Sequence, residues 1–208
     1  MTRPRHPAPD VFYPIVPSAH WVERLVPLGV RTIQLRIKDR SESVVRRDIK
    51  ASVALAHARG CRLIVNDYWQ AAIDLGAADV HLGQEDLAEA DLAALRKAGI
   101  RVGISTHDEA ELDAALAAEP SYVALGPIYE TKLKAMTWAP QGVERIGDWR
   151  RRIGDVPLVA IGGITPERAG PILDAGADSV AVITDFMSAP HPEARVRLWL
   201  DWASALRE

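Results

Sequence analysis

Short apolar runs alternate with Ala/Leu-rich amphipathic segments along almost the whole chain, and few architectures accommodate that rhythm. The runs fall at 12–16, 32–36, 62–66, 80–82, 101–105, 122–125, 158–161 and 179–183, which makes eight. Helical segments lie between them, for example at 44–59, 69–75, 91–98, 108–117 and 166–175, the last with Thr165 as N-cap and Pro166 at the first helical position. Gly60, Gly76, Gly99 and Gly176 each follow a predicted helix, where a left-handed cap favours glycine. Successive β-α units of this number predict an α/β fold, a single-domain (β/α)8 TIM barrel. A final stretch, 193–206, reads as a closing helix with Trp199 and Trp202 as packing residues.

A chain of 208 residues, 48% hydrophobic and 25% charged, buries a substantial core and is most economically one domain, 11–208, behind a polar, proline-rich and flexible lead at 1–10. The formal net charge of −3, with no basic tract longer than Arg150-Arg151-Arg152, argues against a nucleic-acid partner. The triplet reads as the solvated face of a helix. Cys61 is the single cysteine, without a disulfide partner or a neighbour at metal-ligand spacing, and reads as a small core residue. With no apolar stretch in the lead and none of about 18 residues elsewhere, the expectation is a soluble cytoplasmic protein without a membrane partner. Its oligomeric state is open, a homo-oligomer included.

In a barrel the chemistry collects where strands end, and there the unusual polar residues fall. Gln34, Arg36 and Lys38 occupy every second position and so share one strand face. Inside a parallel sheet covered by helices, such a trio is costly without an anion, which points to a phosphorylated ligand. Strand three ends in Asn66 and Asp67; strand four leads through His81-Leu-Gly-Gln84 to Asp86; strand five ends in Ser105, Thr106 and His107; strand six runs through Gly126-Pro-Ile-Tyr129 to Thr131 and Lys134.

Asp67 and Asp86 suit Mg2+, a hard cation that binds through one or two carboxylates and keeps its waters or substrate phosphates. The competing role for each is to cap the helix after its strand. The turn Ile161-Gly-Gly-Ile-Thr165 lets backbone approach an anion, and Ile183 and Thr184 end the neighbouring strand. Two anion sites follow: a diphosphate with metal near strands two to five, and a monophosphate at strands seven and eight. His81 reads as a core or supporting residue, and His107 as touching the site or capping a helix. Ser105, with no nucleophile elbow or relay evident around it, reads as a hydrogen-bond donor to phosphate. Trp138 either covers the ligand or packs its loop.

Six motifs in order, Gln34-Leu-Arg-Ile-Lys-Asp39, Val65-Asn-Asp-Tyr-Trp69, Val80-His-Leu-Gly-Gln-Glu-Asp-Leu87, Gly103-Ile-Ser-Thr-His107, Ala124-Leu-Gly-Pro-Ile-Tyr129 and Ala160-Ile-Gly-Gly-Ile164, resemble the thiamine-phosphate synthase family. The resemblance implies that a pyrimidine diphosphate is held by Gln34, Leu35, Arg36, Ile37 and Lys38 with Asn66, Ser105 and Lys134, and that Asp67 and Asp86 hold Mg2+. It implies a thiazole-phosphate site made by Thr131, Lys132, Leu133, Gly163, Ile183 and Thr184, and catalytic roles for Arg36, Lys38, Ser105 and Lys134. Two positions depart from the family pattern: Leu133 stands where a second threonine is common, and Tyr68 where many members carry a third carboxylate. The implied reaction is a transfer that joins the two phosphorylated substrates and releases diphosphate. The alternatives are a thiazole tautomerase-like paralogue and a non-catalytic ligand-sensing barrel.

Overall fold

The computed structural model describes residues 6–131 and 138–207. Strands β1 (Phe12–Val16), β2 (Thr32–Leu35), β3 (Arg62–Asn66), β4 (Asp79–Leu82), β5 (Arg101–Thr106), β6 (Tyr122–Leu125), β7 (Leu158–Ile161) and β8 (Ser179–Val182) pair in chain order. Every pairing is parallel, and β8 returns to β1 with Phe12 opposite Val180, so the sheet closes into a barrel. All eight expected strands are present, with ends that differ by at most one residue. Around them run α1 (Ala19–Leu25), α2 (Glu42–Ala58), α3 (Trp69–Leu75), α4 (Gln84–Glu89), α5 (Leu92–Lys97), α6 (Glu109–Ala117), α7 (Glu144–Ile153), α8 (Pro166–Asp174), α9 (Thr184–Met187) and α10 (Pro192–Ala205). Helices α4 and α9, of 6 and 4 residues, are too short to display a helical period in sequence.

Because side chains alternate across each strand, the barrel has two cores. The larger lies between the sheet and the helices and takes in Ile33, Leu35, Leu63, Val65, Val80 and Leu82. The smaller fills the barrel itself with Tyr13, Ile15, Ile64, Tyr122, Ala124, Val159 and Ala181. Cys61 belongs to the larger core, and burial pushes its thiol up to about 12, consistent with an inert packing residue. Helix α10 closes the fold by stacking Trp199 flat on Phe12 of β1, with Trp202 edge-on behind it. Arg150, Arg151 and Arg152 lie in the last turn of α7, and each is paired with a carboxylate, on Asp178, Asp148 and Asp113, so the triplet is not a phosphate patch.

The amino-terminal end of the barrel is sealed by charge. Asp79 at the start of β4 is 1% exposed and receives Arg62 of β3 at 2.7 and 3.1 Å and Arg101 of β5 at 2.8 and 2.5 Å. Arg62 also donates to the Pro7 carbonyl, while Asp10 accepts Arg207 and its backbone amide donates to Thr32. One carboxylate between two guanidiniums is well satisfied, and removing it strands both cations. Asp79→Ala is expected to cost about 3 kcal/mol, a value at the low end for a buried pair because Arg101 reaches solvent. This corresponds to a fall in Tm of about 6–12 °C in a chain of this size, measurable by circular dichroism.

Candidate active site

At the opposite end, the alternation that fills the barrel also delivers polar side chains to its mouth. Gln34 points into the interior and is 2% exposed. Arg36 and Lys38, past the end of β2, are exposed on the rim. The intervening Leu35 and Ile37 are 1% and 2% exposed in the outer core, so of residues 34–38 these two offer a ligand only their backbone. The shared face expected for Gln34, Arg36 and Lys38 is therefore present, although β2 itself stops at Leu35.

Lys38 reaches across to β3, where its Nζ lies 2.5 Å from Asp67 Oδ2. Asp67 adopts φ 65°, a left-handed conformation that Asp tolerates better than most residues because its short side chain can bond locally. Its amide donates to the His81 carbonyl of β4, and the turn that follows is closed by Tyr68 and Trp69 bonding back to Asn66 and Asp67. This local geometry turns the Asp67 carboxylate toward the first turn of α4, where Asp86 sits. Burial and the adjacent Asp67 carboxylate hold the Asp86 carboxyl above its usual range, with Lys38 acting in the opposite sense. Neither aspartate is an N-cap residue: Tyr68 precedes α3 and Gly83 precedes α4, both without a side-chain cap bond. Two crowded carboxylates beside one lysine form a donor set that suits a divalent cation completed by water and phosphate oxygens. Among the described residues no third His, Cys, Asp or Glu joins them.

Ser105 on β5 does have a histidine beside it, which the sequence around it does not reveal: His81 Nε2 lies 2.8 Å from Ser105 Oγ. The other ring nitrogen, Nδ1, meets the Tyr122 hydroxyl at 2.8 Å, and burial lowers the His81 pKa to about 4, so the imidazole is neutral at pH 7. Tyr122 continues to Tyr13 at 3.0 Å, and Tyr13 receives Gln34 Nε2 at 2.7 Å. Tyr13 and Tyr122 were not expected to be polar partners; the signal in the sequence is Gly103, paired with Tyr122 in the ladder, where a Cβ would lie 2.0 Å from the tyrosine ring. His107 does not cap α6: Asp108 does, accepting the Glu111 amide, while the His107 amide and ring both bond the Glu111 carboxylate at 2.7 Å. Trp138 stacks on the His107 ring, just past β5, with ring centroids 5.2 Å apart.

The glycine turn at which a second anion site is expected is built on close backbone contacts. Gly162 and Gly163 have φ 107° and 65°, and Cβ atoms on them would meet Pro127 at 2.6 Å and the Glu130 carbonyl at 2.4 Å. The loop after β6 thus lies directly on the loop after β7, tied by Ile128 and Tyr129 amides bonding Ile161 and Gly162 carbonyls. Thr131 follows this contact at once. Strand β8 stops at Val182, Ile183 is the N-cap of α9 and Thr184 its first residue; because Ala181 pairs with Ile161, Gly163 and Thr184 follow neighbouring strands. Lys132, Leu133 and Lys134 lie outside the described residues.

The family model described as thiamine monophosphate synthase matches residues 12–186. A thiamine-phosphate synthase of Rhizobium etli is 63% identical over 191 residues, covering 92% of this chain and 94% of its own. One from Citrobacter koseri is 52% identical over 172 residues, covering 83% and 82%. In three dimensions, a thiamine phosphate pyrophosphorylase from Pyrococcus furiosus superposes with a TM-score of 0.81 at 23% identity, covering 95% and 96% of the two chains, which bears on the fold alone.

The paired carboxylates make two predictions. Because Asp86 holds its proton to higher pH in the folded than in the unfolded chain, stability falls as pH rises from the ordinary carboxylate range through the raised value. Asp86→Asn is therefore expected to flatten that fall and to raise the melting temperature of the ligand-free protein at pH 7; an unchanged or lower value would contradict the crowding. At position 67, Ala tolerates the left-handed backbone less well than Asn by about 1 kcal/mol, so Asp67→Ala is expected to melt about 2–4 °C below Asp67→Asn.

Proposed function

This chain belongs to the thiamine monophosphate synthase family, and on that premise we propose that it joins 4-amino-2-methyl-5-(diphosphooxymethyl)pyrimidine to a thiazole phosphate. The products are thiamine phosphate and diphosphate, which makes the chain a transferase. The observation that carries this reading is the meeting of Lys38, Asp67 and Asp86 at one point of the rim, two strands from Ser105 at the end of β5. An isomerase acting on the thiazole phosphate alone handles no diphosphate and has no use for that cluster.

Asp67 and Asp86 are the residues that would hold Mg2+, which when bound supplies positive charge to the diphosphate leaving group. Arg36 and Lys38 bind diphosphate oxygens, and Lys134 adds a third cation from the strand-six loop. As the bond between the methylene carbon and its diphosphate oxygen breaks, the electron pair leaves with the diphosphate. These cations stabilise the charge that develops there more strongly than they stabilise the bound substrate. The thiazole nitrogen then gives its lone pair to the methylene carbon, and no protein nucleophile takes part. Ser105 donates a hydrogen bond to the diphosphate, and Gln34 and Asn66 orient the pyrimidine end. Thr131 and its loop, Gly163 and the Ile183–Thr184 backbone hold the thiazole phosphate at the neighbouring strand ends.

Purified protein supplied with both substrates and Mg2+ is expected to release diphosphate in step with thiamine phosphate. Lys38→Ala is expected to lower kcat about 10²–10³-fold, the usual cost of one donor aimed at developing charge. Turnover of a thiazole phosphate with no diphosphate released would instead identify an isomerase.

A further inference from the structure

One feature inside the barrel goes beyond binding the substrates. Gln34, Tyr13, Tyr122, His81 and Ser105, drawn from β2, β1, β6, β4 and β5, form an unbroken line of hydrogen bonds of 2.7, 3.0, 2.8 and 2.8 Å. Tyr13 is 1% exposed, Tyr122 is fully buried and His81 is 8% exposed, whereas Ser105 at the end of the line is only partly buried. Burial drives the phenol pKa of both tyrosines upward, so each keeps its one proton.

Counting protons gives the line a direction. A buried hydroxyl that fails to place its proton forfeits a hydrogen bond that no solvent replaces, so each must donate as well as accept. Gln34 Nε2 donates to Tyr13, which leaves Tyr13 to donate to Tyr122. Tyr122 must then donate to His81 Nδ1. A neutral imidazole that accepts at Nδ1 carries its hydrogen at Nε2 and donates it to Ser105 Oγ. Ser105 accepts from inside the barrel, so its own proton is turned outward to the rim. Reversed, the same five groups would draw the Ser105 proton inward and present lone pairs that repel an anion.

We propose that Gln34, Tyr13, Tyr122 and His81 act as a directional relay of positioning residues that fixes the His81 tautomer and so commits Ser105 to donate its hydroxyl proton to the bound diphosphate. Gly103 belongs to the device, since its missing Cβ is what admits the Tyr122 ring to the line. The identity of the anion rests on the synthase reading above; the direction of the relay does not.

Two measurements test it on the full chain. In long-range 1H–15N spectra of ligand-free, 15N-histidine-labelled protein, His81 is expected as the Nε2–H tautomer, and Nδ1–H would overturn the proposal. In kinetics, Tyr122→Phe keeps the ring and removes only the hydroxyl. It is expected to lower kcat about tenfold, the worth of one hydrogen bond, with KM for the pyrimidine diphosphate within about twofold. In a Ser105→Ala background the same change is expected to cost nothing further. Equal loss in both backgrounds would mean that the Tyr122 hydroxyl acts independently of Ser105, and would also overturn it. Because the tautomer is read without substrate, an inactive protein with Nε2–H would count against the synthase reading alone, and an active one with Nδ1–H against the relay alone.

Discussion

Closure of eight parallel strands governs everything else in this protein. A closed sheet has no edge, every strand runs the same way, and every second side chain is committed to a narrow interior. Polar groups that enter that interior must find partners there, because water does not accompany them. The chain meets this requirement differently at the two ends. At the amino-terminal end Asp79 satisfies Arg62 and Arg101 by bonds internal to the protein. At the carboxyl end Arg36 and Lys38 emerge into solvent, Lys38 pairs with Asp67, and Asp67 crowds Asp86.

Much of this was legible in the sequence. The eight strands were visible because strands covered on both faces are continuous apolar runs, and the rim residues because polar side chains interrupt those runs at their ends. The facing of Gln34, Arg36 and Lys38 followed from the two-residue period alone. Less visible was which way a tyrosine in such a run points. Tyr13 and Tyr122 sit among apolar neighbours and look like core; the room that Gly103 leaves beside Tyr122 and the 3.0 Å contact between the two hydroxyls show that they meet inside the barrel. The contact of His81 with Ser105 joins positions 24 apart on adjacent strands, a proximity set by register and not by spacing. Asp67 and Asp86 looked like helix caps as readily as metal ligands, because both roles place Asp after a strand; the structure removes the capping role, since Tyr68 and Gly83 occupy the cap positions.

The interior line and the rim cluster also divide the work between neutral and charged groups. Buried deep in the barrel are hydroxyls, an amide and a neutral imidazole, which carry orientation without the desolvation cost of charge. Of these two groups, only the one at the mouth, open to solvent, carries full charges. In the proposed reaction, directional neutral groups beneath exposed ions give a phosphate both a fixed donor and a strong field.

The glycine contact between the loops after β6 and β7 has a different significance. Where Gly162 and Gly163 press on Pro127 and Glu130, the approach is so close that neither glycine position has room for a Cβ. Most neighbouring elements can be retuned over evolutionary time by trading one side chain for another. This junction has nothing to trade, since any replacement adds an atom where none fits and strains a left-handed backbone. Change at the mouth is thereby confined, on steric grounds, to residues outside the junction.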